Sequence, residues 1–134
     1  MGGRRIGVAV SDPGGLLAFP LRALERRGAE ADIEAVLVLA HQQGAEAIVV
    51  GVPYSLDGSA GPQAQKVLAF SQALRGRSPL PVALWDERLS TVEAERRLRE
   101  VGVQPSREKG RRDAAAAAVV LQSYLDAQWP GETG

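Results

Sequence analysis

Asp86 and Glu87 stand side by side where the apolar run Val82-Ala83-Leu84-Trp85 ends, and Arg88-Leu89-Ser90-Thr91 follows at once. Open α/β sheets put their chemistry at such carboxyl ends of strands. Pro81 to Trp85 has the composition of a short buried strand. Ser90 and, three residues later, Glu93 have the spacing of a capping box for the amphipathic helix that follows. Glu87 is thereby expected on a connection held between two rigid elements, free to project from the sheet edge. Taken alone, the same string also fits a solvated turn with surface charges.

The surrounding composition limits what these acids can do. A chain of 134 residues is long enough for one core and short for two. Only 4% of it is aromatic against 45% hydrophobic, so the core must be built from Val, Leu, Ile and Ala. No apolar run approaches the ~20 residues that span a bilayer, and the start lacks a signal-peptide apolar region, so a cytoplasmic protein without a membrane partner is expected. The absence of cysteine excludes disulfides, thiolate zinc sites and a cysteine nucleophile, and a single histidine excludes a histidine-based metal cluster. Any metal would be held by oxygen, which favours Mg²⁺ or Mn²⁺.

Sixteen basic and sixteen acidic residues cancel, so no global field steers the chain to nucleic acid. Their distribution says more. Arg4 and Arg5 lie at the start, and Arg107, Lys109, Arg111 and Arg112 crowd what is expected to be one loop ahead of Asp113. That loop is either a phosphate-binding segment, which would position a nucleic-acid backbone without reading its sequence, or a solvated surface. Arg88 is placed either to pair with an acid or to contact a phosphate.

These residues are carried by an alternation of short strands and helices. Ile6 to Val10 is an apolar strand that ends at the turn signal Ser11-Asp12-Pro13-Gly14-Gly15, and Leu16 to Leu24 completes a hairpin. Glu30 to Gln43 has helical spacing, with Gly44 as its stop. Ala47 to Val52 is expected to be a strand buried on both faces. A polar loop over 53–61, in which Asp57-Gly58 makes a turn, leads to a helix over Pro62–Leu74. Helices are also expected over Thr91–Val101 and Asp113–Gln128, the latter with Asp113 at its start, where the macrodipole favours a carboxylate. The order implies a mixed sheet covered by helices, with the later strands parallel and the loop after Val50 close to Asp86-Glu87. One domain over 1–128 and a frayed tail over 129–134 are expected.

At this point the chain resembles the YqgF/RuvX family of Holliday-junction-resolvase-like proteins, also described as pre-16S ribosomal RNA nucleases. The resemblance rests on Arg4-Arg5-Ile6-Gly7-Val8-Ala9-Val10-Ser11-Asp12, on Ile48-Val49-Val50-Gly51-Val52-Pro53 with Asp57-Gly58, on Asp86-Glu87-Arg88-Leu89-Ser90-Thr91-Val92-Glu93-Ala94, and on Lys109 through Asp113-Ala114-Ala115-Ala116-Ala117. It implies a three-layer ribonuclease-H-like α/β fold and a metal-dependent endonuclease acting on structured RNA or branched DNA. Glu87 and Asp113 match two of the family's three acidic positions and would bind Mg²⁺ or Mn²⁺; Asp86 would be a neighbouring support or a surface acid. Arg4, Arg5, Arg88, Arg107, Lys109, Arg111 and Arg112 would be the nucleic-acid contacts.

The same resemblance puts the third acid in a first strand that ends one residue ahead of Met1, with Met1 in the slot after it. A valine codon, GTG, taken as a start would leave that central strand out. The expectation is then that β-edges near the gap are filled by a shifted strand or by a second copy of the chain, through pairing or swapping. Two function classes remain open from sequence: an endonuclease, impaired in this short form, and a catalytically weak nucleic-acid-binding module.

Overall fold

The computed structural model describes residues 4–90, 92–100, 102 and 109–128. Among them the chain runs β1 (Arg5–Ser11), β2 (Ala18–Glu25), α1 (Ala29–Gln42), β3 (Ile48–Val52), α2 (Pro62–Arg77), β4 (Val82–Asp86), a single 3₁₀ turn (Glu87–Leu89), α3 (Val92–Glu100) and α4 (Lys109–Gln128). It divides into two compact units, one of residues 1–25 with 89–134 and one of residues 26–88. The expectations for the tail over 129–134, for Arg107 and for Met1 lie outside the described residues.

In the first unit β1 and β2 form an antiparallel pair, from Arg5↔Glu25 to Ser11↔Ala18. A bulge between Val8 and Ala9 interrupts the register where Pro20, which has no N–H to donate, enters the ladder. The hairpin turn is built by Asp12, whose Oδ1 accepts the N–H groups of Leu16 and Leu17, both at 2.8 Å. Those bonds hold the Asp12 carboxyl below the usual carboxylate range. Helix α4 lies on the hairpin. Ala18, Leu98, Ala118 and Leu125 are buried together, with Ala9, Val119, Leu121 and Tyr124 packed around them. Fully buried Gln122 ties the layers polarly: its Oε1 accepts the Ala18 N–H at 2.9 Å, and its Nε2 donates to Leu16 O at 2.9 Å and Asp126 Oδ1 at 3.0 Å. Asp126 also accepts from Arg97 of α3 at 2.9 Å.

The second unit is a β3–α2–β4 crossover with α1 packed on α2. β3 and β4 are parallel, from Ile48↔Val82 to Val52↔Asp86, so their carboxyl ends share an edge as expected. Ile33, Leu39, Val52, Ala64, Val67, Phe70, Leu74 and Val82 are its buried apolar residues. Helix α1 stops where the sequence indicated. Gly44, at φ 65°, donates to His41 O at 3.1 Å and Ala45 donates to Ala40 O at 3.0 Å, which is the Schellman pattern.

Several expectations need correction. The four strands do not make one mixed sheet: among the described residues β1 pairs with β2 and β3 with β4, in two separate two-stranded sheets. The α/β character stands and is compatible with a ribonuclease-H-like arrangement. Ile48 to Gly51 are half-buried and only Val52 is buried, so β3 is not covered on both faces; its ladder has β4 as its one partner among the described residues. The capping box is absent. Ser90 Oγ is shut off from solvent without a hydrogen-bond partner, and Glu93 pairs forward with Arg96. Helix α4 begins at Lys109, so Asp113 lies a full turn inside it and gains nothing from the helix start, and Lys109, Arg111 and Arg112 are helical rather than a loop. The alanine run that follows explains the extension, since alanine propagates a helix at the lowest cost of any residue.

Two measurements test the packing of the first unit. Gly7 lies under α4 so closely that an added Cβ would sit 2.0 Å from the Asp113 carbonyl oxygen and 2.5 Å from its carbon. Gly7→Ala must push helix from strand, and a loss of about 1–3 kcal/mol in urea unfolding is expected; unaltered stability would show that the contact yields freely. Because the Asp12 carboxyl is lowered in the folded protein, the stability it lends is complete above its unfolded pKa of about 3.9 and drains away as pH falls through the lower folded value. The stability gap between the unaltered protein and Asp12→Ala is therefore expected to be constant from neutral pH down to the carboxylate range and to close below it, as read by thermal melts against pH.

Candidate functional site

β4 delivers Asp86 as its last residue, and the 3₁₀ turn that follows holds Glu87, Arg88 and Leu89. The Asp86 carboxylate turns onto Arg88: Oδ1 accepts the Arg88 backbone N–H at 2.9 Å and Nε at 3.1 Å, and Oδ2 accepts Nε at 3.0 Å and Nη2 at 2.6 Å. The guanidinium bonds hold the Asp86 carboxyl well below its ordinary range, and Asp86 raises the Arg88 guanidinium in return. Arg88 also donates from Nη1 to Leu56 O at 3.4 Å and lies 5.7 Å from the centre of the Tyr54 ring. The 53–61 loop and the end of β4 thus meet through this one side chain.

The loop itself is closed by its own bonds. Ser55 N–H donates to Ser59 O at 2.9 Å, Gly58 N–H to Ser55 O at 2.8 Å, and the Ser59 N–H and Oγ donate to Asp57 Oδ1 at 2.9 and 2.7 Å. Asp57 is the turn residue its neighbour Gly58, at φ 89°, indicated, and the Ser59 bonds lower its carboxyl. Glu87 is half-buried, and among the described residues no hydrogen bond or ion pair engages its carboxylate. Of the neighbouring acids at the end of β4, Asp86 is committed and Glu87 is open.

Asp113 belongs to the other unit, where it is half-exposed and accepts from Arg5 Nε at 3.1 Å through Oδ2. Arg5 and Gly7 are two apart on β1, so they share a face of the strand. Gly7 admits the α4 backbone at Asp113, and Arg5 reaches the carboxylate of that same residue. Arg4 and Arg112 are exposed, and the side chains of Lys109 and Arg111 lie outside the described residues, as does all of Arg107. Among the described residues no group of three or more His, Cys, Asp or Glu is gathered as a metal site. Glu87 and Asp113 offer the oxygen donors a hard cation prefers, one in each unit, and fall short of the three acids the resemblance implies.

Sequence reasoning missed the parts played by Tyr54, the Leu56 carbonyl and Gly7. A glycine inside a strand is itself a signal of close backbone approach, so Gly7 was there to be read. Nothing in the linear order marks Tyr54 or Leu56 as partners of a residue more than thirty positions away.

Comparisons with known proteins identify relatives of the whole chain. A family model described as "RuvX: Holliday junction resolvase" matches residues 1–127. A protein of Desulforudis audaxviator is 43% identical over 131 residues, covering 98% of this chain and 93% of its own. One of Halothermothrix orenii is 45% identical over 127 residues, with 95% and 91% covered, and one of Symbiobacterium thermophilum is 45% identical over 128 residues, with 96% and 89% covered. All three carry the name "Putative pre-16S rRNA nuclease". With the family model matching residues 1–127 and relatives 43–45% identical over nearly the whole chain, the chain belongs to the RuvX (YqgF) family.

Proposed function

We propose that this protein is a cytoplasmic nuclease that hydrolyses phosphodiester bonds in structured RNA, such as precursor 16S ribosomal RNA, or in branched DNA, with Glu87 and Asp113 as catalytic acids and Mg²⁺ or Mn²⁺ as cofactor. The observation that carries the reading is the open Glu87 carboxylate, held on a short turn at the carboxyl end of a parallel strand in a chain whose relatives are named as nucleases. Hydrolysis of a phosphodiester needs an activated water and relief of charge on the pentavalent transition state and the leaving oxygen, which divalent ions bound by carboxylates supply. Two carboxylates are one fewer than the resemblance implies. The second reading is a catalytically weak nucleic-acid-binding module, since two carboxylates hold a metal ion less well than three.

Cleavage of a branched DNA and of a structured RNA with Mn²⁺ separates these readings. The 134-residue chain is expected to cut slowly, and no cleavage at all would favour the binding module. Glu87→Gln and Asp113→Asn are each expected to abolish cleavage while binding is kept. Full activity in either variant would refute the assignment of these acids.

Binding supplies a second test. If the Arg107, Lys109, Arg111 and Arg112 segment touches phosphates, replacing all four with alanine weakens binding to single strands, duplexes and junctions alike. The log–log salt slope then flattens by about 0.7–0.9 for each phosphate no longer neutralised. An unchanged slope identifies the segment as a solvated surface.

A further inference from the structure

We propose that Asp86 and Arg88 form a staple that orients Glu87 and anchors the 53–61 loop beside it, so that Arg88 is a positioning residue rather than a phosphate contact. The inference rests on the reading of Glu87 as the reacting acid. Residues 86 and 88 flank Glu87, and the bonds between them close a ring around it. The Arg88 N–H and Nε reach Asp86 Oδ1 at 2.9 and 3.1 Å, while Nε and Nη2 reach Oδ2 at 3.0 and 2.6 Å. A backbone tied at both neighbours leaves Glu87 little freedom to turn away from the strand end.

The remaining nitrogen faces the loop. Nη1 donates to Leu56 O at 3.4 Å, and a Cβ at Gly58 would stand 3.5 Å from the same atom, so the loop backbone folds around the guanidinium at a glycine with φ 89°. Three of the five guanidinium N–H groups of Arg88 are therefore engaged within the protein, and these bonds rather than a phosphate fix where the side chain lies. Internal bonds of Ser55, Asp57, Gly58 and Ser59 make the loop a formed body, and Leu56 stands on it 95% exposed. What Arg88 holds is thus a preformed loop placed next to the open acid. Lysine cannot replace it, since a single ammonium cannot serve both carboxylate oxygens and the carbonyl in one planar fork.

The test uses the full 134-residue chain, and compares Arg88→Ala, Arg88→Lys, Asp86→Asn and the double variant with Arg77→Ala, a control on an exposed arginine that meets Glu34 at 3.5 Å. Amide hydrogen exchange over residues 53–61 is expected to rise several-fold in Arg88→Ala, Arg88→Lys and Asp86→Asn, and to stay unchanged in the control. On a cleavable junction or RNA, kcat is expected to fall about 10- to 100-fold with KM within twofold, the signature of a misplaced group. The double variant should be no worse than either single one, because both act through one device. The salt slope of binding should be unaltered. Unchanged exchange in Arg88→Ala overturns the staple. A slope lower by about 0.7–0.9 with kcat kept overturns it in favour of a phosphate contact. The exchange comparison decides the staple even if the unaltered protein cuts neither substrate, an outcome that would instead fell the nuclease reading.

Discussion

The backbone of α4 rests directly on β1 at Gly7, and this contact governs most of what the first unit does. No side chain fits there: any Cβ would overlap the Asp113 carbonyl. With the strand and helix in backbone contact at Gly7, the positions of α4 nearest that crossing must be small. Alanine at 114 and 118 is buried against the hairpin as a consequence. The helix cannot slide without losing the two bonds by which Gln122 meets Ala18 and Leu16 at the far end of the hairpin. Asp113 is thus fixed in register with Arg5 by packing rather than by its own charge.

The second unit solves a similar problem with hydrogen bonds. Parallel pairing of β3 and β4 brings two strand ends to one edge, and the loop leaving β3 must then be kept off the turn leaving β4. Arg88 does this because its fork spans both, with the carboxylate of Asp86 on one side and the Leu56 carbonyl on the other. Exposed ion pairs contribute little to stability, about 0–1 kcal/mol. The bidentate geometry here matters for placement more than for stability.

Elements with a local cause were legible in the sequence. The Schellman stop at Gly44, the turn at Asp57-Gly58 and the Asp12 hairpin each follow from residues within a few positions of one another, and the parallel β3–α2–β4 crossover follows from the order of its elements. The errors arose where a local signal met a competing one. Ser90 and Glu93 have capping-box spacing, but Arg96 on the next turn takes the Glu93 carboxylate. Asp113 reads as a helix start, yet the alanines behind it carry the helix back to Lys109. The one mixed sheet was inferred from element order alone, which specifies which strands are parallel but not which edges join. Of the site, the open Glu87 and the commitment of Asp86 were within reach of sequence reasoning, whereas the Arg5–Asp113 pair spans 108 positions and has no local trace.

The two candidate acids differ in what surrounds their charge. At the end of β4, the Asp86 carboxylate is paired with the Arg88 guanidinium, while no described residue engages that of Glu87. A pair of adjacent acids is in this way divided into one that shapes the turn and one that remains available. In α4, Asp113 carries its own counter-charge in Arg5, but the arginine uses only Oδ2, and no described residue engages Oδ1. The pair is part-exposed, with side-chain accessibilities of 25% for Arg5 and 39% for Asp113, and such pairs hold by about 0–1 kcal/mol. A ligand that met Asp113 would therefore either share the carboxylate with Arg5 or displace it at small cost. The position of the acid would survive either exchange, because Gly7 rather than the ion pair sets it.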